Sequence, residues 1–194
     1  RAAMLGRLPE FDRLRDRATA IRAHALTHLD ELLERFEQKV TEAGGVVHWC
    51  RDAAEARETV TRICHAAGAR SVAKSKSMLS EEIALNDHLA EAGIEPVETD
   101  LGEYILQLRG ETPSHIVMPA IHLNAGQIAD VFRGAHTLED PARDLDSADA
   151  LLAEARHMLR RKFLDADIGI TGANALIAET GSILLVTNEG NADL

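Results

Sequence analysis

Between residues 46 and 127 short β-prone runs alternate with segments of helical length, each opened by a residue able to cap a helix. Val46 to Trp49 precedes Asp52-Ala-Ala-Glu55, which has the spacing of a capping box and opens a helix to about Ala67, where Gly68 ends it. Arg70-Ser-Val-Ala73 reads as a buried strand. The loop Lys74-Ser75-Lys76-Ser77 follows it, and a helix begins near Ser80 with Glu81 and Glu82 in its first turn. Glu95 to Thr99 with Asp100-Leu-Gly-Glu103, and Ile116 to Pro119 with Asn124-Ala-Gly-Gln127, repeat the pattern. Strands separated by helices of this length run parallel, because the crossover helix returns the chain to the same end of the sheet. The expected fold is therefore three-layer α/β, a mostly parallel sheet with helices on both faces.

The flanks add two features. From Phe11 to Ala43 apolar residues recur at helical spacing, with Leu26, Leu29, Leu33, Phe36 and Val40 on one face, until Gly44-Gly45 stops the helix. This divides the chain into a helical segment, 1–45, and an α/β domain, 46–194. Residues 134–147 are polar, contain Pro141 and read as a surface connection; a helix runs from Ser147 to about Asp165. Ile168-Gly-Ile-Thr-Gly172, Ala175 to Ala178 and Ser182 to Thr187 are β-prone segments joined by glycine-bearing turns, which predicts a hairpin or β-rich edge added to the sheet. There is no internal repeat and no low-complexity segment.

Composition excludes several functions. Aromatic residues are 3% of the chain, so the core is built from Ala, Leu, Ile and Val, and base-stacking platforms for single-stranded nucleic acid are missing. Twenty-one Lys and Arg against 32 Asp and Glu leave a net charge of −11, which repels a polyphosphate backbone and argues against nucleic acid as a partner. No stretch approaches the ~18 consecutive apolar residues of a membrane span. The charged opening from Arg1 to Arg17 lacks the apolar centre of a secretory signal, so a cytoplasmic location is expected. Cys50 and Cys64 are too few for a disulfide framework or a four-thiolate metal site, and each reads as a small reduced hydrophobe. The chain starts at Arg1 and stops at Leu194 directly after a glycine-bearing turn, and is expected to be part of something longer.

In an open α/β sheet ligands sit outside the carboxyl ends of the strands, so the loops after strands are where chemistry is sought. Lys74, Ser75, Lys76 and Ser77 place two ammonium groups and two hydroxyls between a strand and a helix start, a setting for phosphate or carboxylate; the competing reading is a solvated basic loop with serine caps. Thr171, Gly172, Ala173 and Asn174 follow one strand, and Glu179, Thr180, Gly181 and Ser182 lie between two others. Each set combines a glycine with hydroxyl or amide groups, and each also reads as a plain turn. Neither is a dinucleotide fingerprint or a P-loop. Thr187-Asn188-Glu189-Gly190-Asn191 is a fourth polar turn; Glu179 and Glu189 are the carboxylates best placed as nucleophile or general base, or are simply exposed strand-end acids. Among nine histidines, His24 with His28 has one-turn spacing and His115 with His122 flanks a strand, yet no carboxylate or thiol completes a metal set. No metal site and no catalytic residue is assigned.

Longer strings carry more than the pattern. Val72-Ala-Lys-Ser-Lys-Ser-Met78, Glu98-Thr-Asp-Leu-Gly-Glu-Tyr-Ile-Leu-Gln107, Pro113-Ser-His-Ile-Val117, Arg161-Lys-Phe-Leu-Asp-Ala-Asp-Ile-Gly-Ile-Thr-Gly172, Ala178-Glu-Thr-Gly181 and Val186-Thr-Asn-Glu-Gly-Asn191 together resemble the lactate-utilisation iron–sulfur protein family, whose members are encoded in a three-protein operon. The resemblance runs in order through nearly the whole chain. It implies a lactate-utilisation (LUD) domain, similar in fold to the glucosamine-phosphate isomerase and CoA-transferase-like group. It also implies, for the full-length parent, a following ferredoxin-like module whose cysteine clusters ligate two [4Fe–4S] centres, and sister lactate-utilisation subunits with which L-lactate is oxidised to pyruvate and electrons are passed on. The cluster-binding cysteine runs are absent from these 194 residues, so no cluster is expected in them. No catalytic residue transfers from the resemblance. The expected role is a docking surface with a small-anion pocket for lactate, phosphate or a nucleotide. The alternative is a transferase-like enzyme using a Glu nucleophile on an acyl-CoA or phosphorylated substrate, with Glu189 in Asn-Glu-Gly as a loose analogue.

Overall fold

Val72 and Ala73 have no exposed surface, and the parallel sheet is built around them. The computed structural model describes residues 2–114, 118–137, 142–187 and 190–192. In chain order its elements are α1 (Ala2–Leu5), α2 (Phe11–Thr27), α3 (Leu29–Glu42), α4 (Ala53–Ala66), β1 (Ser71–Lys74), α5 (Met78–Glu82), α6 (Leu85–Glu91), β2 (Glu95–Glu98), α7 (Leu101–Arg109), α8 (Ala125–Ala135), α9 (Ala148–Asp165), β3 (Ile168–Ile170), β4 (Ala175–Ile177) and β5 (Ser182–Leu184). The sheet order is β2-β1-β3, and both pairings are parallel. Helices flank it, as the alternation predicts. At the amino end of the sheet, Asp167 Oδ2 accepts from the backbone N–H groups of Arg70 (2.8 Å) and Ser71 (3.0 Å). Those donors hold its carboxyl below the usual range and tie the start of β3 to the start of β1.

Two apolar clusters hold this α/β unit together. Cys64, Leu85, Leu89 and Ile94 pack with Val72, joined by the partly buried Ile168 and Ile170, so α4 and α6 close on the sheet. Tyr104, Ile105, Ala129, Phe132, Leu151 and Ala155 join α7, α8 and α9. The capping residues read from the sequence sit where local chemistry puts them. Asp100 accepts from Gly102 N and Glu103 N, Ser147 accepts from Ala150 N, and Asn124 with Gln127 makes both halves of a capping box. Asp52 caps α4 through Glu55 N, but Glu55 reaches back to Arg51 N, one residue earlier than a reciprocal box requires.

Several expectations are corrected. Val46 to Trp49 forms no strand: no neighbouring strand pairs with it, and Val46 and Trp49 are 72% and 55% exposed. The helix expected near Ser80 starts at Met78, with Ser77 as its cap, and is interrupted at Ala84, whose φ of 50° is left-handed. Of the strand expected at Ile116 to Pro119, residues 115–117 lie outside the described residues, and Met118 and Pro119 are not in a strand. The single helix expected from Phe11 to Ala43 is two helices, because His28 leaves helical geometry (φ −122°, ψ 35°) while its ring Nδ1 lies 3.0 Å from the His24 carbonyl. Cys50 is exposed and not packed as expected, whereas Cys64 is buried.

The largest correction concerns β4 and β5. They pair antiparallel as a separate two-stranded sheet and are not an edge of the parallel one. The chain forms two compact units, 1–47 with 175–184, and 48–174 with 185–194. Within the first, Gly181 (φ +73°) lies against α3 so closely that a Cβ there would sit 2.6 Å from Val40 N and 2.7 Å from the Lys39 carbonyl carbon. Gly181→Ala combines left-handed strain with a backbone clash, about 3 kcal/mol together. It is expected to speed amide hydrogen exchange across β4 and β5 by about a hundredfold; unchanged exchange would mean that the hairpin does not rest on α3.

Candidate functional site

Because β1 and β3 are parallel neighbours, their carboxyl ends lie side by side and the loops after them meet. Ser75 N donates to the Ile170 carbonyl (2.9 Å), extending the ladder one residue past β1. The Ser75 hydroxyl donates to Thr171 Oγ1 (2.7 Å), joining the two loops directly. Gly172 then passes so near Ser77 that a Cβ at 172 would lie 3.3 Å from Ser77 Cβ and Oγ. A third stretch closes the side: Asn174 Oδ1 accepts from Val186 N (2.7 Å), and Thr187 Oγ1 donates to Asn191 Oδ1 (2.9 Å). The Thr99 hydroxyl lies between the carbonyls of Lys74 (3.1 Å) and Asn191 (2.9 Å). These pieces enclose a cleft of about 610 Å³.

Of the residues expected to contact a ligand, Ser75, Lys76, Ser77, Thr171, Gly172 and Asn174 line this one cleft, together with Asp100, Thr187 and Asn191. Lys74 does not. It is the last residue of β1 and not part of the loop, and it is 1% exposed with its ammonium engaged inside the protein. Glu179, Thr180 and Gly181 form the β4–β5 turn in the other compact unit, where the N–H groups of Thr180 and Gly181 donate to the Ile177 carbonyl and Glu179 is exposed. Asn188 and Glu189 lie outside the described residues, as does His115. The His122 ring sits between Ser114 Oγ (2.9 Å) and Glu111 (3.2 Å), and the His24 and His28 rings are tilted by 35° with centroids 4.3 Å apart. Among the described residues no group of three or more His, Cys, Asp or Glu is arranged to hold a metal ion.

Lys74, at the end of β1, enters a polar network that sequence reading missed, whose Glu81, Asn86, Glu98 and Glu103 line a separate cavity of about 420 Å³. Lys74 Nζ is 2.8 Å from Glu98 Oε1 and 3.1 Å from Ser80 Oγ, and Asn86 Nδ2 donates to the same Glu98 oxygen (2.5 Å). Glu103 is 4% exposed and 3.8 Å from Lys76 Nζ, and neither of its buried carboxyl oxygens has a hydrogen-bond partner among the described residues. Burial first, and then the Glu81 and Glu98 carboxyls, push its pKa up to about 9, so it carries a proton at neutral pH. Keeping Glu103 neutral costs less than burying a second carboxylate charge near Glu98. The available signal was register. β1 is buried along its length after Ser71, so a Lys at its end needs a counter-charge, and Glu98 occupies the equivalent end of the adjacent parallel strand, paired with Lys74.

A second network serves packing. The Tyr104 hydroxyl meets His136 Nε2 (2.9 Å), His136 Nδ1 meets Glu154 (2.7 Å), and Arg143 donates to both Glu154 oxygens (2.5 and 2.7 Å), linking α7, the end of α8 and α9. Burial, with the Glu154 charge behind it, pushes the Tyr104 hydroxyl up to about 12, while Arg143 foremost holds the Glu154 carboxyl below its usual range.

Comparison with known proteins places this architecture. The chain is 45% identical over 192 residues to the "Uncharacterized electron transport protein YkgF" of Escherichia coli K12, covering 99% of this chain and 40% of that protein. It is 47% identical over 198 residues to "Lactate utilization protein B" of Geobacillus kaustophilus, covering 100% of this chain and 40% of that protein. Against the protein of the same name in Oceanobacillus iheyensis it is 44% identical over 195 residues, covering 97% of this chain and 40% of that one. The chain thus spans about 40% of the length of these curated relatives. No solved structure matches it. The LUD domain family matches residues 33–194, which takes in the whole parallel sheet, the cleft and the buried Lys74–Glu98 pair, and the chain belongs to that family.

Proposed function

We propose that this chain is the LUD domain of a cytoplasmic iron–sulfur electron-transfer protein that takes part in the oxidation of L-lactate to pyruvate, and that its cleft at the carboxyl ends of β1 and β3 binds a small anion. The observation that carries the reading is identity of 44–47% running through essentially the whole chain to proteins named Lactate utilization protein B. The name of the E. coli relative supports electron transport. Among the described residues no helix is long and apolar enough to cross a membrane.

The two [4Fe–4S] clusters that the reading implies do not fit the residues of this chain. A cubane takes four cysteine thiolates, and the chain has Cys50, exposed, and Cys64, buried in α4 with its thiol pushed up by that burial. We assign the clusters to the part of the longer protein beyond this match. This domain contributes binding and a docking surface for sister lactate-utilisation subunits, and no redox step runs through its own side chains. The transferase-like alternative rests on Glu189, which lies outside the described residues; Glu179, the other candidate carboxylate, stands exposed in the β4–β5 turn.

The test is complementation. A strain lacking its own Lactate utilization protein B receives that protein with the matched segment replaced by this chain. Growth on L-lactate as sole carbon source is expected. A chimera that accumulates to the level of the natural protein yet supports no growth overturns the proposal.

A further inference from the structure

We infer that the cleft formed by loops 75–77 and 171–174 takes a nucleoside 5′-monophosphate, one phosphate on a body with an apolar face, and not free lactate. The inference rests on the reading of this cleft as the anion site and sharpens it.

Size is the first argument. About 610 Å³ falls in the range of roughly 300–1,000 Å³ that encloses drug-sized ligands, whereas lactate has only about six non-hydrogen atoms and would leave most of the space to water. The lining is also of two kinds. Lys76, Ser77, Thr171 and Asn174 bring an ammonium, hydroxyls and an amide. Gly172 lets the second loop pass against Ser77, where a Cβ would sit 3.3 Å from its Cβ and Oγ, and so brings the two polar loops together at one side of the cleft. The border is apolar and uncovered: Leu79 is 67% exposed and Val186 74%, large hydrophobic side chains standing bare at the edge of a polar cleft. A purely ionic ligand has no use for that border. A planar base does, because it can be sandwiched between aliphatic side chains.

Charge sets the number of phosphates. One lysine lines the cleft, Asp100 lines it too, and the chain as a whole carries −11. A triphosphate would need more cationic or backbone neutralisation than this, and no P-loop is present to supply it. Asp100, which caps α7 through Oδ1, brings a carboxylate acceptor of the kind that suits a ribose diol.

Titration calorimetry of the full chain with adenosine 5′-monophosphate, inorganic phosphate and L-lactate tests this. The nucleotide is expected to bind at least about tenfold tighter than either small anion, and Lys76→Ala to weaken it about tenfold. Leu79→Gln with Val186→Gln, both at exposed positions and neither adding charge, is expected to bring the nucleotide down to the affinity of phosphate while phosphate itself is little changed; thermal denaturation of each variant verifies folding. Phosphate or L-lactate binding as tightly as the nucleotide, no nucleotide binding at millimolar concentration, or a border variant that binds it as before would each overturn the inference. Failure here and failure of the lactate reading are separable: a chimera that grows on L-lactate without binding nucleotide removes this inference alone, and nucleotide binding without growth removes the lactate reading alone.

Discussion

Lys74→Met is expected to lower stability by about 3–5 kcal/mol, because it leaves the Glu98 carboxylate buried without its cation. The methionine fills much the same volume, so the loss reports charge and not a cavity. Adding Glu98→Leu removes the stranded charge, and the double variant is expected to recover most of the loss, less the hydrogen bond from Asn86. Urea denaturation midpoints of the single and double variants measure both steps. A single variant within about 1 kcal/mol of the parent would mean that water reaches Glu98, since only solvated pairs are worth so little.

Glu103 gives an effect of the opposite sign. Its pKa rises from an ordinary 4.5 to about 9 on folding, so the folded chain holds a proton that the unfolded chain releases. That contribution is complete below about pH 4.5 and is lost as pH climbs toward 9, with a slope of up to about 1.4 kcal/mol per pH unit. Glu103→Gln keeps the shape and a donor but cannot ionise. It is expected to match the parent near pH 4.5 and to exceed it by up to about 4–5 kcal/mol at pH 8. The quantity to follow is the difference in unfolding free energy between the two chains across pH; a difference that stays flat would show Glu103 ionised in the folded state.

What is legible in the sequence follows the range of the interactions involved. Asp100, Asn124 and Ser147 cap helices through donors two or three residues away, and their roles can be read one position at a time. The loops at 75–77 and 171–174 are legible as ligand candidates because a parallel sheet places loops after strands at one edge. Val46 to Trp49 is not, since a β-prone tetrapeptide becomes a strand only beside a partner. The hairpin is recognisable as a hairpin but not as a sheet of its own, since its placement depends on the bare backbone at Gly181 meeting Val40, far away in the chain. Lys74 reads as a loop ligand because its local context is Ser-Lys-Ser; its burial is decided by Glu98 on the next strand and by Ser80 and Asn86 nearby.

The bond from Val186 N to Asn174 Oδ1 closes the chain at the root of the β4–β5 excursion, on the side of the unit that carries the cleft. Topologically the hairpin is then a detour whose two ends are already fastened together. A descendant of this chain can lengthen, trim or lose residues 175–184 without rethreading the parallel sheet, which leaves the hairpin free to diverge while the walls of the cleft keep their connectivity.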